Sequence, residues 1–166
     1  MKKVITGFVL TGLLVLGVFG QDQAKKFDFS LNLGVQTNIC FGEWPTAFDV
    51  FQGTLDLRKA FRLGRSFQIS PEIMYSTGYN FHFEYSFLYP GVMVNYKVTD
   101  FFFIGAGPVV PIVLGAEGNK FIPSPKLNVG LCKGRIMMTL YVIIWTGYEI
   151  PFLDLNFIGL TFGYRF

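Results

Sequence analysis

The chain contains one histidine, His82, and it alternates with two other polar side chains, Glu84 and Ser86. On a strand, residues two apart point to the same side at roughly 6.5–7 Å intervals. A hydroxyl, a base and an orienting carboxylate on one inner wall are the components of nucleophilic catalysis. The flanking Phe81, Phe83, Tyr85 and Phe87 would then face the other way. The same three residues serve equally well as a polar patch of an interior or rim, and no motif surrounds them. We therefore read the chain as a non-enzyme and keep the His82/Ser86 chemistry as an alternative.

A second group of residues carries charge at positions that must be matched rather than merely solvated. Asp56, Arg58, Glu72, Lys126 and Arg165 each alternate with apolar neighbours, and Asp28 does the same near the start of the pattern. Charges turned into an interior have to be paired or hydrogen-bonded. An internal polar network that plugs the space is expected; a narrow water path tuned by those charges is the rival. There is no phosphate-cradling glycine loop, metal-ligand cluster or dinucleotide fingerprint, and Gly105-Ala106-Gly107 reads as sheet packing. No cofactor and no metal are implied.

The elements that carry these residues are strands. From Phe27, the odd positions to Val35 are apolar and the even ones from Asp28 to Gln36 are polar or small. Period-two alternation marks a strand with two unlike faces. It recurs as Phe51, Leu55, Leu57 and Phe61 against Gln52, Thr54, Asp56 and Arg58. It recurs again as Phe67, Ile69, Ile73, Tyr75 and Tyr79 against Gln68, Ser70, Glu72 and Ser76. Further strands are expected at about 83–97, 101–114, 125–133, 136–148 and 158–166, which makes eight. A bulge or kink is expected at Pro90-Gly91, where the alternation changes phase. Short turns at 62–66, 98–100 and 133–135 alternate with longer loops at 40–48, 114–124 and 149–154, the short connection near 79–82 being the exception. If the loops are shorter than this, ten strands fit.

Composition decides which face is out. The 166 residues are 51% hydrophobic and 18% aromatic, with a mean hydropathy of +0.43, and only 15% are charged. Soluble domains average roughly 25% charged. The stretches 101–116 and 136–148 lack charge but fall short of the ~20 residues of a spanning helix, and the first holds Pro108 and Pro111. An eight-stranded antiparallel up-and-down transmembrane β-barrel fits better. Its apolar face meets lipid, and its small and polar face fills the interior. Lipid offers no hydrogen bonds, so a closed sheet without edges is required. Aromatics at strand ends would form two girdles. Trp44, Phe48, Tyr79, Trp145 and Tyr148 are assigned to the loop rim, and Phe27, Phe61, Phe67, Tyr96, Phe101, Tyr164 and Phe166 to the turn rim. A soluble carrier barrel with its apolar face inside is a third alternative.

Residues 1–20 read as a secretory signal peptide. Lys2 and Lys3 precede the uncharged Val4–Phe19 stretch, and Val18 and Gly20 are small residues before Gln21. The mature domain is then 21–166. Losing the two lysines takes the formal charge from +3 to +1, with no basic block for nucleic acid. Cys40 is assigned to the loop rim and Cys132 to the turn rim. A membrane band is ~25 Å tall and a disulfide needs Cα atoms within ~7 Å, so no bond between them is expected.

The terminal run Leu160-Thr161-Phe162-Gly163-Tyr164-Arg165-Phe166 resembles the C-terminal assembly signal of bacterial outer-membrane proteins, with Phe162, Tyr164 and Phe166 as its alternating aromatics. The stretch Tyr89–Tyr96, followed by Gly105-Ala106-Gly107-Pro108, is similar to a strand pair of the bacterial outer membrane protein β-barrel domain family, whose structural relatives are OmpA/OmpX-type small barrels. The resemblance implies a bacterial outer-membrane location after export. It also implies contact with membrane lipid and lipopolysaccharide, and assembly by the outer-membrane insertion machinery. A structural, adhesive or narrow porin-like role follows, with a surface ligand reached through loops 40–48 and 114–124. Small outer-membrane lipid A deacylases use residue types like those of the His82/Ser86 set, which gives the enzymatic alternative its substrate class.

Overall fold

The structure, a computed structural model, describes residues 28–39, 51–80, 83–114, 123–145 and 156–166. The strands are β1 (Phe29–Ile39), β2 (Phe51–Lys59), β3 (Phe61–Leu63), β4 (Phe67–Asn80), β5 (Phe83–Lys97), β6 (Phe102–Val109), β7 (Ile112–Val113), β8 (Ser124–Lys133), β9 (Ile136–Ile144) and β10 (Asn156–Arg165). The expected leader and its cleavage site, Phe27, loop 40–48 with Trp44 and Phe48, His82, residues 115–122 of the 114–124 loop, and Tyr148 with the 149–154 loop lie outside the described residues.

Ten segments build eight staves. β2 and β3 lie in one register against β4, Arg58 opposite Glu72 and Phe61 opposite Ile69, interrupted only at Ala60. β6 and β7 likewise share one register along β5 and part at Val110-Pro111. Every neighbouring pair is antiparallel, and β1 pairs with β10 from Ser30–Arg165 to Ile39–Asn156. The β4–β5 ladder joins the remaining sides, so the sheet closes into an eight-stranded barrel. Closure removes the unpaired edges that an open sheet would present.

The short turns set one rim. Gly64 and Gly134 adopt φ of 81° and 63°, a region other residues enter only with strain. The third turn is held by Thr99: Phe102 donates its backbone N–H to the Thr99 hydroxyl at 3.0 Å, and Val98 and Thr99 donate back to the Phe102 carbonyl.

The faces divide as the alternation requires over most of the barrel. Leu33, Ile73, Leu127, Leu140 and Phe162 stand exposed on the outside, while Asn32, Glu72, Lys126, Thr139 and Thr161 are buried inside. Apolar exposure of this kind rings the whole cylinder, far beyond the scattered patches of a soluble monomer. A carrier barrel would show the opposite arrangement.

The expected break at Pro90-Gly91 is absent. β5 runs unbroken from Phe83 to Lys97, and its odd residues Phe87, Tyr89, Met93 and Asn95 are all buried inside. The ladder is interrupted on the neighbouring strand instead. The β5–β6 ladder pairs Gly91 with Val109 and resumes only at Val94 with Ala106. Pro108, which has no N–H to donate, occupies that gap, and beyond it Val110 donates to the Pro90 carbonyl at 2.9 Å.

Candidate functional site: the filled lumen

Inward residues of eight staves meet in a space that side chains can fill. At mid-height the sequence places Asp56 and Arg58 on β2, Glu72 on β4 and Lys126 on β8. Arg58 and Glu72 are direct cross-strand partners, so their side chains leave neighbouring backbones together. The Arg58 guanidinium meets Asp56 Oδ2 at 2.5 Å and Glu72 Oε2 at 3.2 Å. From the β8 side, Lys126 Nζ reaches Glu72 Oε1 at 2.5 Å and sits 4.7 Å from the Tyr141 ring centroid. Lys126 has 0% exposure and Arg58 5%. Two acids and two bases neutralise each other inside the barrel, which is how buried charge is tolerated.

A second layer lies toward the loop rim. Gln36 Nε2 donates to Gln52 Oε1 at 2.5 Å and to the Ser76 hydroxyl at 3.0 Å, while its carbonyl oxygen accepts from the Tyr141 hydroxyl at 2.8 Å. Ser76 in turn donates to Gln52 Oε1 at 2.9 Å. Toward the turn rim, Asn32 donates to the Asp56 carbonyl at 3.3 Å, and Asn95 donates to the Ser70 hydroxyl at 3.1 Å. Glycines make room for these groups. A Cβ on Gly105 would strike the Asn95 and Asn128 carboxamides, and one on Gly159 would strike the Tyr141 ring.

Arg165 does not join the central cluster. It lies at the turn rim, where Nη2 contacts Asp28 Oδ1 at 2.5 Å, and Arg62 contacts Asp28 Oδ2 at 3.2 Å. That pairing spans the β1–β10 seam, so it ties the first and last described strands of the barrel. Of the five inward charges read from the sequence, four therefore meet and the fifth makes a separate clasp. Cys132 sits at the same rim as a free thiol. Cys40 lies outside the described residues.

Above the polar layers is an arrangement that sequence reasoning missed. Met74, Phe87, Tyr89, Val109, Tyr141, Ile143 and Phe157 form a buried apolar cluster, with Val113 and Trp145 packed on it. Phe87 stacks on Tyr89 at 5.9 Å between ring centroids, and Phe157 meets Phe87 edge-on at 5.8 Å. Trp145 lies 5.7 Å from Phe87 and 6.0 Å from Phe157. Trp145 is thus part of the interior and not of an outer girdle, which corrects its assignment. Its parity with Tyr141 and Ile143 was the available signal.

The inner-wall placement of Ser86 is also corrected. Phe87 and Tyr89 take the interior positions of β5, so Ser86 faces outward. Its hydroxyl lies 3.0 Å from that of Thr77, its cross-strand partner, and 3.2 Å from the Tyr75 hydroxyl. Neither group is a general base. The aromatics displaced it because the loop end of the lumen is apolar, whereas the sequence pattern had equated apolar with outward. Among the described residues, no group of three or more His, Cys, Asp or Glu side chains could hold a metal.

At the turn rim, Phe166 is 64% exposed, and its backbone N–H bonds the Phe29 carbonyl at 2.9 Å. Tyr164 and Phe166 lie edge-to-face at 5.2 Å on the outer surface, with Phe162 further along the same face.

A closed cylinder with an apolar outside and a charge-balanced inside defines a small transmembrane β-barrel. No family model and no curated protein matches the chain. Solved barrels do match its shape. The Yersinia pestis outer membrane protein Ail in a phospholipid bilayer nanodisc aligns with a TM-score of 0.51 at 9% identity, covering 85% of this chain and 100% of that one. The crystal structure of Ail, the attachment invasion locus protein, gives 0.50 at 10% identity over 86% and 100%. De novo designed transmembrane β-barrels give 0.50 at 11% identity over 87% and 100%. At these identities the likeness carries the fold alone.

Proposed function

We propose that this chain is a bacterial outer-membrane barrel of the OmpA/OmpX type with a sealed lumen, acting as a membrane-embedded scaffold that presents its loops. Export through a cleaved leader at 1–20 and recognition of Phe162, Tyr164 and Phe166 by the insertion machinery belong to this reading. Lipid and lipopolysaccharide are its surroundings, and a surface ligand would be met through loops 40–48 and 114–124.

One observation carries the reading: the lumen is occupied at two successive levels. The four-charge cluster of Asp56, Arg58, Glu72 and Lys126 crosses the barrel at mid-height. The apolar cluster around Phe87 and Phe157 covers the loop side. An ion entering from either end would have to displace matched charges or packed rings. Sealing favours the structural or adhesive roles over the porin-like one.

Planar-bilayer recording tests this. Purified protein should give no stepwise conductance. Regular steps that scale with salt would replace the sealed scaffold with a narrow pore.

A further inference from the structure

The charges of this chain are sorted along the barrel axis. At the turn rim stand Lys59, Arg62, Arg65, Lys97, Lys133 and Arg135, all partly or well exposed. The carboxylates of the same rim are few. Asp28 is engaged by Arg62 and Arg165, and Asp100 by Lys97 at 2.8 Å. Arg65 and Lys133 have no carboxylate within ion-pair distance among the described residues. At the other end the trend reverses in sequence: the segments joining strands at 40–50, 115–122 and 146–155 carry Glu43, Asp49, Glu117, Glu149 and Asp154 against Lys120 alone. The lumen between is neutral.

Several of these cations point toward lipid. Lys59 and Lys133 continue the outward parity of Leu57 and Leu131, so their stems run along the apolar band. Lys59 Nζ lies 4.9 Å from the Phe61 ring centroid. Arg135 donates to the Tyr164 hydroxyl at 2.9 Å. Phe67 and Tyr96 pair at 5.1 Å just above the same turns. Long cationic side chains lying over an aromatic ring at the end of a hydrocarbon band place their charge at headgroup depth.

We infer that the turn rim is a binding belt for anionic phospholipid headgroups in the leaflet it meets, with Lys59 and Lys133 as outward phosphate contacts and the exposed turn residue Arg65 adding its charge beside them. This rests on the transmembrane reading. The belt is open to solvent and strongly one-signed, so its attraction should fall as salt shortens the Debye length.

The test uses the full mature barrel folded into phosphatidylcholine bilayers containing spin-labelled phosphatidylglycerol or spin-labelled phosphatidylcholine. Wild type should hold a several-fold excess of motionally restricted phosphatidylglycerol at low salt, declining toward parity near 1 M salt. The triple variant Lys59→Gln, Arg65→Gln, Lys133→Gln should lose most of that excess. The charge-keeping triple Lys59→Arg, Arg65→Lys, Lys133→Arg should retain it. Heat-modifiable gel mobility, run on every sample, reports barrel formation separately, so failure to insert is distinguished from failure to select lipid. Equal restriction of both lipids by folded wild type would overturn the belt. So would an undiminished excess in the neutralised variant. Salt-sensitive binding of the soluble polyanion heparin without phosphatidylglycerol selectivity would reassign the rim to an aqueous polymer and also overturn it.

Discussion

Replacing Lys126 with methionine removes one charge from the mid-height cluster while keeping a chain of similar length. Lys126 is fully buried, 2.5 Å from Glu72. Without it, Asp56 and Glu72 share the single cation Arg58, and one negative charge is left unmatched inside the barrel. Breaking a buried pair from one side costs about 3–5 kcal/mol, because the surviving partner stays desolvated. A solvated pair costs about 0–1 kcal/mol. The two cases are far enough apart to decide whether the lumen is dry at this level. Adding Glu72→Gln restores neutrality through Asp56–Arg58, so the double variant should recover about 2 kcal/mol or more relative to the sum of the singles. Urea unfolding of the barrel in lipid vesicles, followed by tryptophan fluorescence and gel mobility, gives all four corners of the cycle. A Lys126→Met barrel within about 1 kcal/mol of wild type, or two strictly additive singles, would mean that these charges are hydrated. The sealed lumen would then be lost along with the assignment of the plug.

Three further outcomes are expected. Gly159→Val should destabilise the barrel by about 1–3 kcal/mol in the same assay, since its side chain must displace the Tyr141 ring. Gly53→Val, whose Cβ would approach only the Thr77 carbonyl at 3.9 Å, should stay near wild type, and equal effects at the two sites would refute the packing account. Ser86→Ala should leave the lipid A mass spectrum of expressing cells unchanged from both wild type and empty-vector controls; deacylated lipid that appears with wild type and disappears in the variant would establish the enzymatic alternative. Phe166→Ala should sharply reduce heat-modifiable protein in the outer-membrane fraction while the purified chain still folds in detergent, and undiminished cellular levels would remove the terminal aromatic from the assembly signal.

Much of the architecture was legible because strand faces alternate strictly. The parity of Asn32, Asp56, Arg58 and Lys126 is enough to place them inside, since no other face of a lipid-embedded strand tolerates them. Which of them touch depends on register, which parity does not contain: Arg58 meets Glu72 because β2 and β4 pair in that frame, and Arg165 meets Asp28 only through closure of β1 on β10. The aromatic layer was hidden for a different reason. Phe87 and Tyr89 carry no mark that separates a ring meant for lipid from one meant for the interior. Val92, Val94 and Tyr96 have the opposite parity, and the Pro90-Gly91 pair between them offered a break that the backbone does not take. Counting back from Asn95 without a break would have put both rings, and Ser86, where they are.

The first and last described strands are hydrogen-bonded partners, from Ser30–Arg165 to Ile39–Asn156. The seam therefore joins the first described strand of the barrel to the last, with more than a hundred intervening residues to bring round. A barrel without β10 would carry two orphaned margins instead of a closed seam, and each margin is a template for a neighbour's backbone. Closure thus waits on the last strand of the barrel, whichever neighbouring pairs have already formed.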